Sequence, residues 1–161
     1  MRTLLVLLAA TATASADPKF ELDHGKLVVP SQVVFETNSA KLAPAADAAL
    51  DHVKAYLVAK ADITLLRVEN HADNQGNAEA AQALSDARAL AVAKALVGRG
   101  VDCKRLVPVG FGGTKPTADN GTPDGRALNR RTDFVNVALR GHVIGGMPVD
   151  GGGHLAGDPC K

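Results

Sequence analysis

The chain has 161 residues, 46% of them hydrophobic but only 3% aromatic, and a formal net charge of +1. That length suits one ordinary domain with a core built mainly from Ala, Val and Leu. So small a charge gives no reason to expect nucleic acid or an anionic membrane as a partner.

At the N-terminus, Arg2 is the single charge before the apolar run Leu4–Ala10, and small residues then lead to Ala14-Ser15-Ala16. This is the small-x-small pattern of a signal-peptidase site. Cleavage is expected after Ala16, so residues 1–16 read as a signal peptide and Asp17 as the first mature residue. The run falls well short of the roughly 20 apolar residues that span a bilayer. No cysteine follows it, so neither an uncleaved anchor nor a bacterial lipoprotein anchor is expected. No later stretch is long and apolar enough to span, and the expected product is exported and soluble. Export makes Cys103 and Cys160, an even pair, candidates for a disulfide that would tie the C-terminal tail to the domain, with two free thiols as the alternative.

Lys19–Leu22 and Lys26–Val29, split by Asp23-His24-Gly25, predict a short hairpin, and Gln32–Phe35 a further strand. Pro44 suits a first helical turn, and Ala46, Leu50, Val53 and Leu57 recur on one helical face. Ile63–Glu69 is β-rich and partly alternating, a strand ending at the polar turn Asn70–Gly76. A second helix is predicted from about Asn77 to Val97, with Leu84, Ala87, Ala91, Val92, Ala95 and Leu96 as its apolar face and Gly98 and Gly100 at its end. Leu106–Phe111 reads as a short edge strand because Pro108 cannot donate to a ladder. A long polar segment, Gly112–Arg126, precedes a closing strand, Thr132–Leu139. From Gly141 onward the chain is rich in glycine and lacks periodicity, a tail expected to be poorly ordered unless Cys160 pins it. The element order predicts an α/β (α+β) sandwich, a mixed sheet with helices on one face.

Two short strings carry the functional signal: Asn70-His71-Ala72-Asp73-Asn74-Gln75-Gly76, and Leu84-Ser85-Asp86-Ala87-Arg88-Ala89 in the opening turns of the second helix. Arg88 lies four residues from both Leu84 and Val92, so it points to the packed side, where a guanidinium is costly unless satisfied. Asp73 is its nearest expected partner, and Asp86 falls on the expected exposed side. A carboxylate and a forked guanidinium at one mouth suit a zwitterion, offering one group to its ammonium and the other to its carboxylate. A plain ion pair fixing the turn onto the helix is the competing reading. No nucleophile motif, phosphate loop or metal-ligand spacing is present, His71, His142, His154 and Cys160 included, so neither enzyme activity nor a cofactor is expected.

Several blocks then agree in order with one family. They are Phe35-Glu36-Thr37-Asn38-Ser39-Ala40-Lys41-Leu42, the segments around Asp73 and Arg88, Val109-Gly110-Phe111-Gly112 with Pro116, and Gly125-Arg126-Ala127-Leu128-Asn129-Arg130-Arg131. From Val33 to Leu139 the chain resembles the OmpA-like domain, the peptidoglycan-associating module of Gram-negative outer-membrane proteins and lipoproteins. The implied organisation is N-terminal strands over 17–32, an OmpA-like domain over 33–140 and a glycine-rich tail over 141–161. The resemblance implies that Asp73 receives the ammonium of diaminopimelate in the peptidoglycan stem peptide and Arg88 its carboxylate. It assigns Asn38 to peptide or backbone contacts and Arg131 to supporting the Asp73 loop, with a sheet-locking salt bridge as the alternative for Arg131. His71, beside Asp73 in the turn, is placed with these binding residues. Asn70, Ala72 and Ala81 depart from the family pattern of Gly, Thr and Asn. The expected function is a periplasmic, non-catalytic binding module, either a free wall-binding protein or the wall-binding partner of an envelope complex peripherally associated with the outer membrane. The alternative is an envelope interaction domain that kept the fold and lost or weakened ligand binding.

Overall fold

The computed structural model describes residues 19–146 and 151–161, so the expected signal peptide and its cleavage site lie outside the described residues. β1 (Leu22–Asp23) and β2 (Lys26–Leu27) form the expected hairpin, two residues to each arm. His24 and Gly25 turn it at φ 48° and 82°, left-handed values that fit the twist of a tight hairpin. Gln32–Phe35, expected as a strand, is not one. Phe35 alone bridges to Leu42, and the intervening turn closes on itself through Glu36 N–H to the Lys41 carbonyl and Ser39 N–H to the Glu36 carbonyl.

Pro44 opens a short 3₁₀ turn that runs directly into α1 (Asp47–Ala59). The predicted stripe is the buried one, with Ala46, Leu50, Val53 and Leu57 joined by Ala49 and Tyr56. β3 (Ile63–His71) is the central strand and runs two residues further than expected. Asn70 and His71 find backbone partners on both sides, Thr132 and Arg131 on one and Gly110 and Gly112 on the other. α2 (Ala78–Gly98) is capped by the Asn77 side chain, which accepts from the Ala80 N–H at 2.8 Å. Its buried residues are Ser85, Ala89, Val92, Ala93 and Leu96, while Ala87, expected on the apolar face, is exposed. With alanine on nearly every side of this helix, spacing alone does not define its phase.

β4 (Leu106–Gly112) runs parallel to β3, and β5 (Arg131–Leu139) pairs antiparallel on its other side. The sheet order is β1-β2-β5-β3-β4-β7, where β7 is His154–Leu155 and β6 (His142–Val143) pairs with the end of β5. A helix inside the long polar segment was not expected: α3 (Pro123–Asn129) starts at Thr122, whose hydroxyl accepts the Gly125 N–H, with Pro123 in its first turn. This is a standard helix start, hidden by a segment composition that reads as loop.

α1 and α2 cover one face of the sheet, where Leu66, Val68 and Phe134 meet Leu50, Val53, Val92 and Leu96. The mixed sheet with helices is the expected α+β architecture. β3 presents Arg67, Glu69 and His71 to the opposite face, all buried. Part of that burial comes from the C-terminal tail. Cys103 and Cys160 are joined in a disulfide, β7 pairs with β4, and the Gly146 carbonyl accepts from Arg67 Nη1 at 3.0 Å. The tail is therefore pinned, as the cysteine pair allowed. No helix among the described residues is long and apolar enough to cross a membrane.

Candidate functional site

At the carboxyl end of β3 the chain turns sharply into α2, and the turn is held on both sides. The Ala72 N–H donates to the Gly112 carbonyl at 2.8 Å, fixing the turn to the end of β4. The Gln75 N–H donates to Asp73 Oδ1 at 2.9 Å, a local turn bond that aims the carboxylate across the helix mouth. A cavity of about 510 Å³ opens there, lined by Thr37, Asn38, Ala72, Asp73, Gln75, Asn77, Leu84, Arg88 and Arg130 among others. Asp73, Arg88 and Asn38 thus converge on one concavity from three separate segments. Asn38 sits at φ 52°, a left-handed conformation that asparagine tolerates better than most residues.

Asp73 and Arg88 do not pair with each other. Arg130 Nη1 lies 2.5 Å from Asp73 Oδ2, and the Asp73 side chain is only 13% exposed. Burial pushes the Asp73 carboxyl up, but the Gln75 N–H and the Arg130 guanidinium outweigh it and hold the group below the usual carboxylate range. Arg88 instead donates through Nε to the Ser39 carbonyl at 2.9 Å and lies 4.8 Å from the centre of the Phe35 ring. No carboxylate among the described residues comes within ion-pair distance of it. Burial pushes its pKa down from the usual arginine value, which still leaves the guanidinium charged. The cavity therefore carries one carboxylate with a cationic partner and one guanidinium whose terminal nitrogens have no anionic partner.

Two expected site residues lie elsewhere. His71 is 1% exposed, stacked at 5.0 Å on Phe111, with Nε2 3.1 Å from Glu69 Oε2. It is the last residue of β3 and points to the face opposite the helices. Arg131 donates to Asp133 Oδ2 at 3.0 Å and to the Lys115 carbonyl at 3.3 Å, so it locks the sheet, and the role expected of it at Asp73 belongs to Arg130. Strand parity separates the two arginines: Arg131 and Asp133 share a face of β5, while Arg130 is the residue that ends α3. The preceding Asn129 is fully buried. Its Oδ1 accepts the Thr117 and Ala118 N–H groups at 2.7 and 3.0 Å, and Nδ2 donates to the Ala118 carbonyl at 2.9 Å. The closing Asn-Arg-Arg string thus anchors a loop, braces the cavity and locks the sheet with successive residues.

Glu69, His71 and Asp133 bring ligand-type atoms within 4.8 Å of one another. Their negative charge is more than matched: Arg67 and Lys115 face Glu69, and Lys26 and Arg131 face Asp133. A dication there would enter among four cationic side chains, so the cluster reads as a closed ion-pair network. Asp86, expected on the exposed side of α2, is half-buried against β4, and Gln82 donates to its Oδ1 at 2.8 Å.

The sequence model of the OmpA family matches residues 34–130. The chain is 36% identical over 113 residues to the probable lipoprotein YiaD of Escherichia coli, covering 70% of this chain and 51% of that protein. It is 37% identical over 108 residues to the peptidoglycan-binding protein ArfA of Mycobacterium tuberculosis, covering 67% of this chain and 33% of that protein. It therefore spans about half of the first relative and a third of the second. Among solved structures, the peptidoglycan-associated lipoprotein of Burkholderia pseudomallei aligns with a TM-score of 0.56 at 29% identity, covering 65% of this chain and 86% of that one. With the family match extending from the turn before α1 through the cavity to Arg130, the chain belongs to the OmpA family.

Proposed function

We propose that this chain is a periplasmic, non-catalytic module that binds peptidoglycan through the ammonium-and-carboxylate end of a diaminopimelate residue in the stem peptide. The observation that carries this reading is the half-buried Arg88, which faces the cavity beside Asp73 and, among the described residues, has no carboxylate of its own. A buried guanidinium left without an anion is costly, and a ligand carboxylate relieves that cost with two parallel bonds. Asp73, held ionised, supplies the acceptor for the ammonium, which joins or displaces Arg130 there. Relatives whose names mark them as peptidoglycan-binding or peptidoglycan-associated support this class of ligand. The leader-like residues 1–16 support export. An outer-membrane lipoprotein among the relatives supports peripheral residence at that membrane.

The test is retention on purified sacculi together with titration of meso-diaminopimelate by NMR. Asp73→Ala removes the ammonium acceptor and frees Arg130, and is expected to cost roughly 2–5 kcal/mol of binding. Arg88→Lys is expected to fail as well, because an ammonium cannot make the forked contact. Lys94→Ala, on the exposed side of α2, is the control and binds like wild type. If folded Asp73→Ala and Arg88→Lys bind like wild type, the zwitterion reading is wrong.

A second reading has its own observation. Both Asp73 oxygens are already engaged, by the Gln75 N–H and by Arg130, and Ala72 and Ala81 bring no polar group to the rim. A fold retained for protein contacts, without a wall ligand, gives this closed arrangement. It predicts no shift at all when diaminopimelate is added to the wild type.

A further inference from the structure

The tail beyond residue 141 lies outside the family match, yet its segment 151–156 is built onto the sheet beside the end of β4 nearest the cavity. Four features hold it. The disulfide joins Cys160 to Cys103, across 57 residues of sequence. β7 pairs with β4, Leu155 opposite Val109 and His154 opposite Gly110, and the Ala156 N–H donates to the Pro108 carbonyl at 3.0 Å. Gly153 packs so closely on Val109 and Phe111 that an added Cβ would lie 2.7–2.8 Å from their side chains. Gly152 sits against Thr114, whose hydroxyl donates to the Phe111 carbonyl at 2.7 Å and lies 3.2 Å from the Gly151 carbonyl.

What the tail holds is the stretch that holds the ligand loop. β4 ends at Gly112, whose carbonyl accepts the Ala72 N–H, and at Gly113 the backbone lies against the Asp73 carbonyl so closely that a Cβ would stand 2.8 Å from it. Thr114 and Gly113 share with Asp73, Asn74 and Gln75 the walls of a smaller crevice of about 250 Å³ behind the loop. Contact is therefore continuous from the disulfide through β7 and the 112–114 turn to the backbone of Asp73, while no described residue of the tail lines the cavity itself.

We infer that the C-terminal segment 151–160 is a brace that positions the Asp73 loop for ligand, acting through the 112–114 turn. Its part in ligand binding rests on the function proposed above; its part in ordering the loop does not. Without the brace, β4 becomes an open edge, the 112–114 turn loses its outer support, and the Asp73 carboxylate samples positions that no longer complement Arg88. Ligand retention falls although every cavity residue is intact.

The experiment compares the wild type with Cys103→Ser/Cys160→Ser and with the triple variant that adds Gly153→Val, whose side chain cannot fit against Phe111. Backbone hydrogen exchange is followed at 154–156, 106–114 and 72–76, and retention on sacculi is measured in parallel. In the triple variant, exchange at 154–156 is expected to reach that of an unpaired segment. Exchange at 112–114 and 72–76 should rise at least tenfold while α1 remains protected, and retention should drop at least fivefold. Thr114→Val should reproduce part of the rise at 72–76, and Thr114→Ser, which keeps the hydroxyl, should restore it. Unchanged exchange at 72–76 with 154–156 released overturns the brace. So does persistent protection of 154–156 in the triple variant, because the anchors named here would not be what holds the segment. If the wild type itself does not bind sacculi, the proposed ligand fails, while the exchange result still decides whether the loop is braced.

Discussion

Glu69 shows how far a single side chain can be tuned by its neighbours in this fold. Burial pushes its carboxyl up, but the hydrogen bond with His71 and the charges of Arg67, Lys115 and His71 overcome this and hold it at about 2, against an ordinary value of 4.5. Because the folded value is the lower one, Glu69 contributes its full stabilisation above about pH 4.5, and that contribution is lost as the pH falls toward 2. A shift of this size corresponds to about 3 kcal/mol. His71 acts in the same sense. Burial lowers its pKa below 6.5, outweighing its bond to Glu69, so its stabilisation is present above 6.5 and lost as the pH drops through the lowered value. Urea midpoints measured between pH 7 and pH 2.5 are therefore expected to decline steadily. Glu69→Gln is expected to lower the stability at pH 7 by about 3–5 kcal/mol, since it removes the buried carboxylate that faces Arg67 and Lys115, but to flatten the decline below pH 4.5. An equally steep decline in that variant would place the acid sensitivity elsewhere. Asp73 and Arg88 differ from this network in kind: Glu69 is closed by protein cations, whereas Arg88 is left with a carbonyl and a ring face.

At the scale of elements, the approach of α2 to β4 controls the cavity, since the helix carries Arg88 and the strand carries the loop support. Gly110 makes that approach possible. A Cβ there would lie 2.0 Å from Asp86 Oδ1 and 2.5 Å from the Asp86 backbone nitrogen. Because the obstacle includes helix backbone, a rotamer change cannot relieve it. Gly110→Ala is expected to push α2 outward and cost on the order of 1–3 kcal/mol, measured as a lower thermal midpoint with shifts in the Leu84–Arg88 amide signals. A midpoint equal to wild type would mean that the helix has more freedom than this contact implies. The same contact explains the position of Asp86. Spacing counted from Leu84 put it outward, but the helix turns its small residues, Ser85, Ala89 and Ala93, toward the sheet, and this rotates Asp86 toward the glycine.

For the molecule as a whole, the disulfide and β7 close a circuit that begins before β4 and ends after β5. Joining residues 57 apart removes freedom from the unfolded chain, and Cys103→Ser/Cys160→Ser is expected to cost ~2–4 kcal/mol. Thermal unfolding of oxidised wild type against this variant measures it, and equal midpoints would show that the circuit adds nothing to stability. Pro108 fits the same picture. Its carbonyl bonds to Ala156 on the β7 side, and a strand residue's N–H and carbonyl point the same way, so its missing donor falls on the outer ladder and spares the pairing with β3.

By itself the sequence determined the parts set by local physics and by ordered motifs: α1 with its proline start and buried stripe, the body of β3, the asparagine-capped α2, and the blocks that mark the family. It also brought Asp73, Arg88 and Asn38 forward as one group, and the structure gathers all three at one cavity. β4, expected at the sheet edge because of Pro108, is instead covered by β7. Tertiary structure alone decided which partners the charges take. Arg130 and Arg131 are adjacent and chemically identical, so only the end of α3 and the start of β5 determine that the first meets Asp73 and the second meets Asp133. His71 looks like a turn residue until two neighbouring strands extend β3 around it and carry its ring inward. The phase of an alanine-rich helix, and the path of a glycine-rich tail, are nearly degenerate in local energy, so close packing against Gly110 and Phe111 and one bond to Cys103 were needed to choose them.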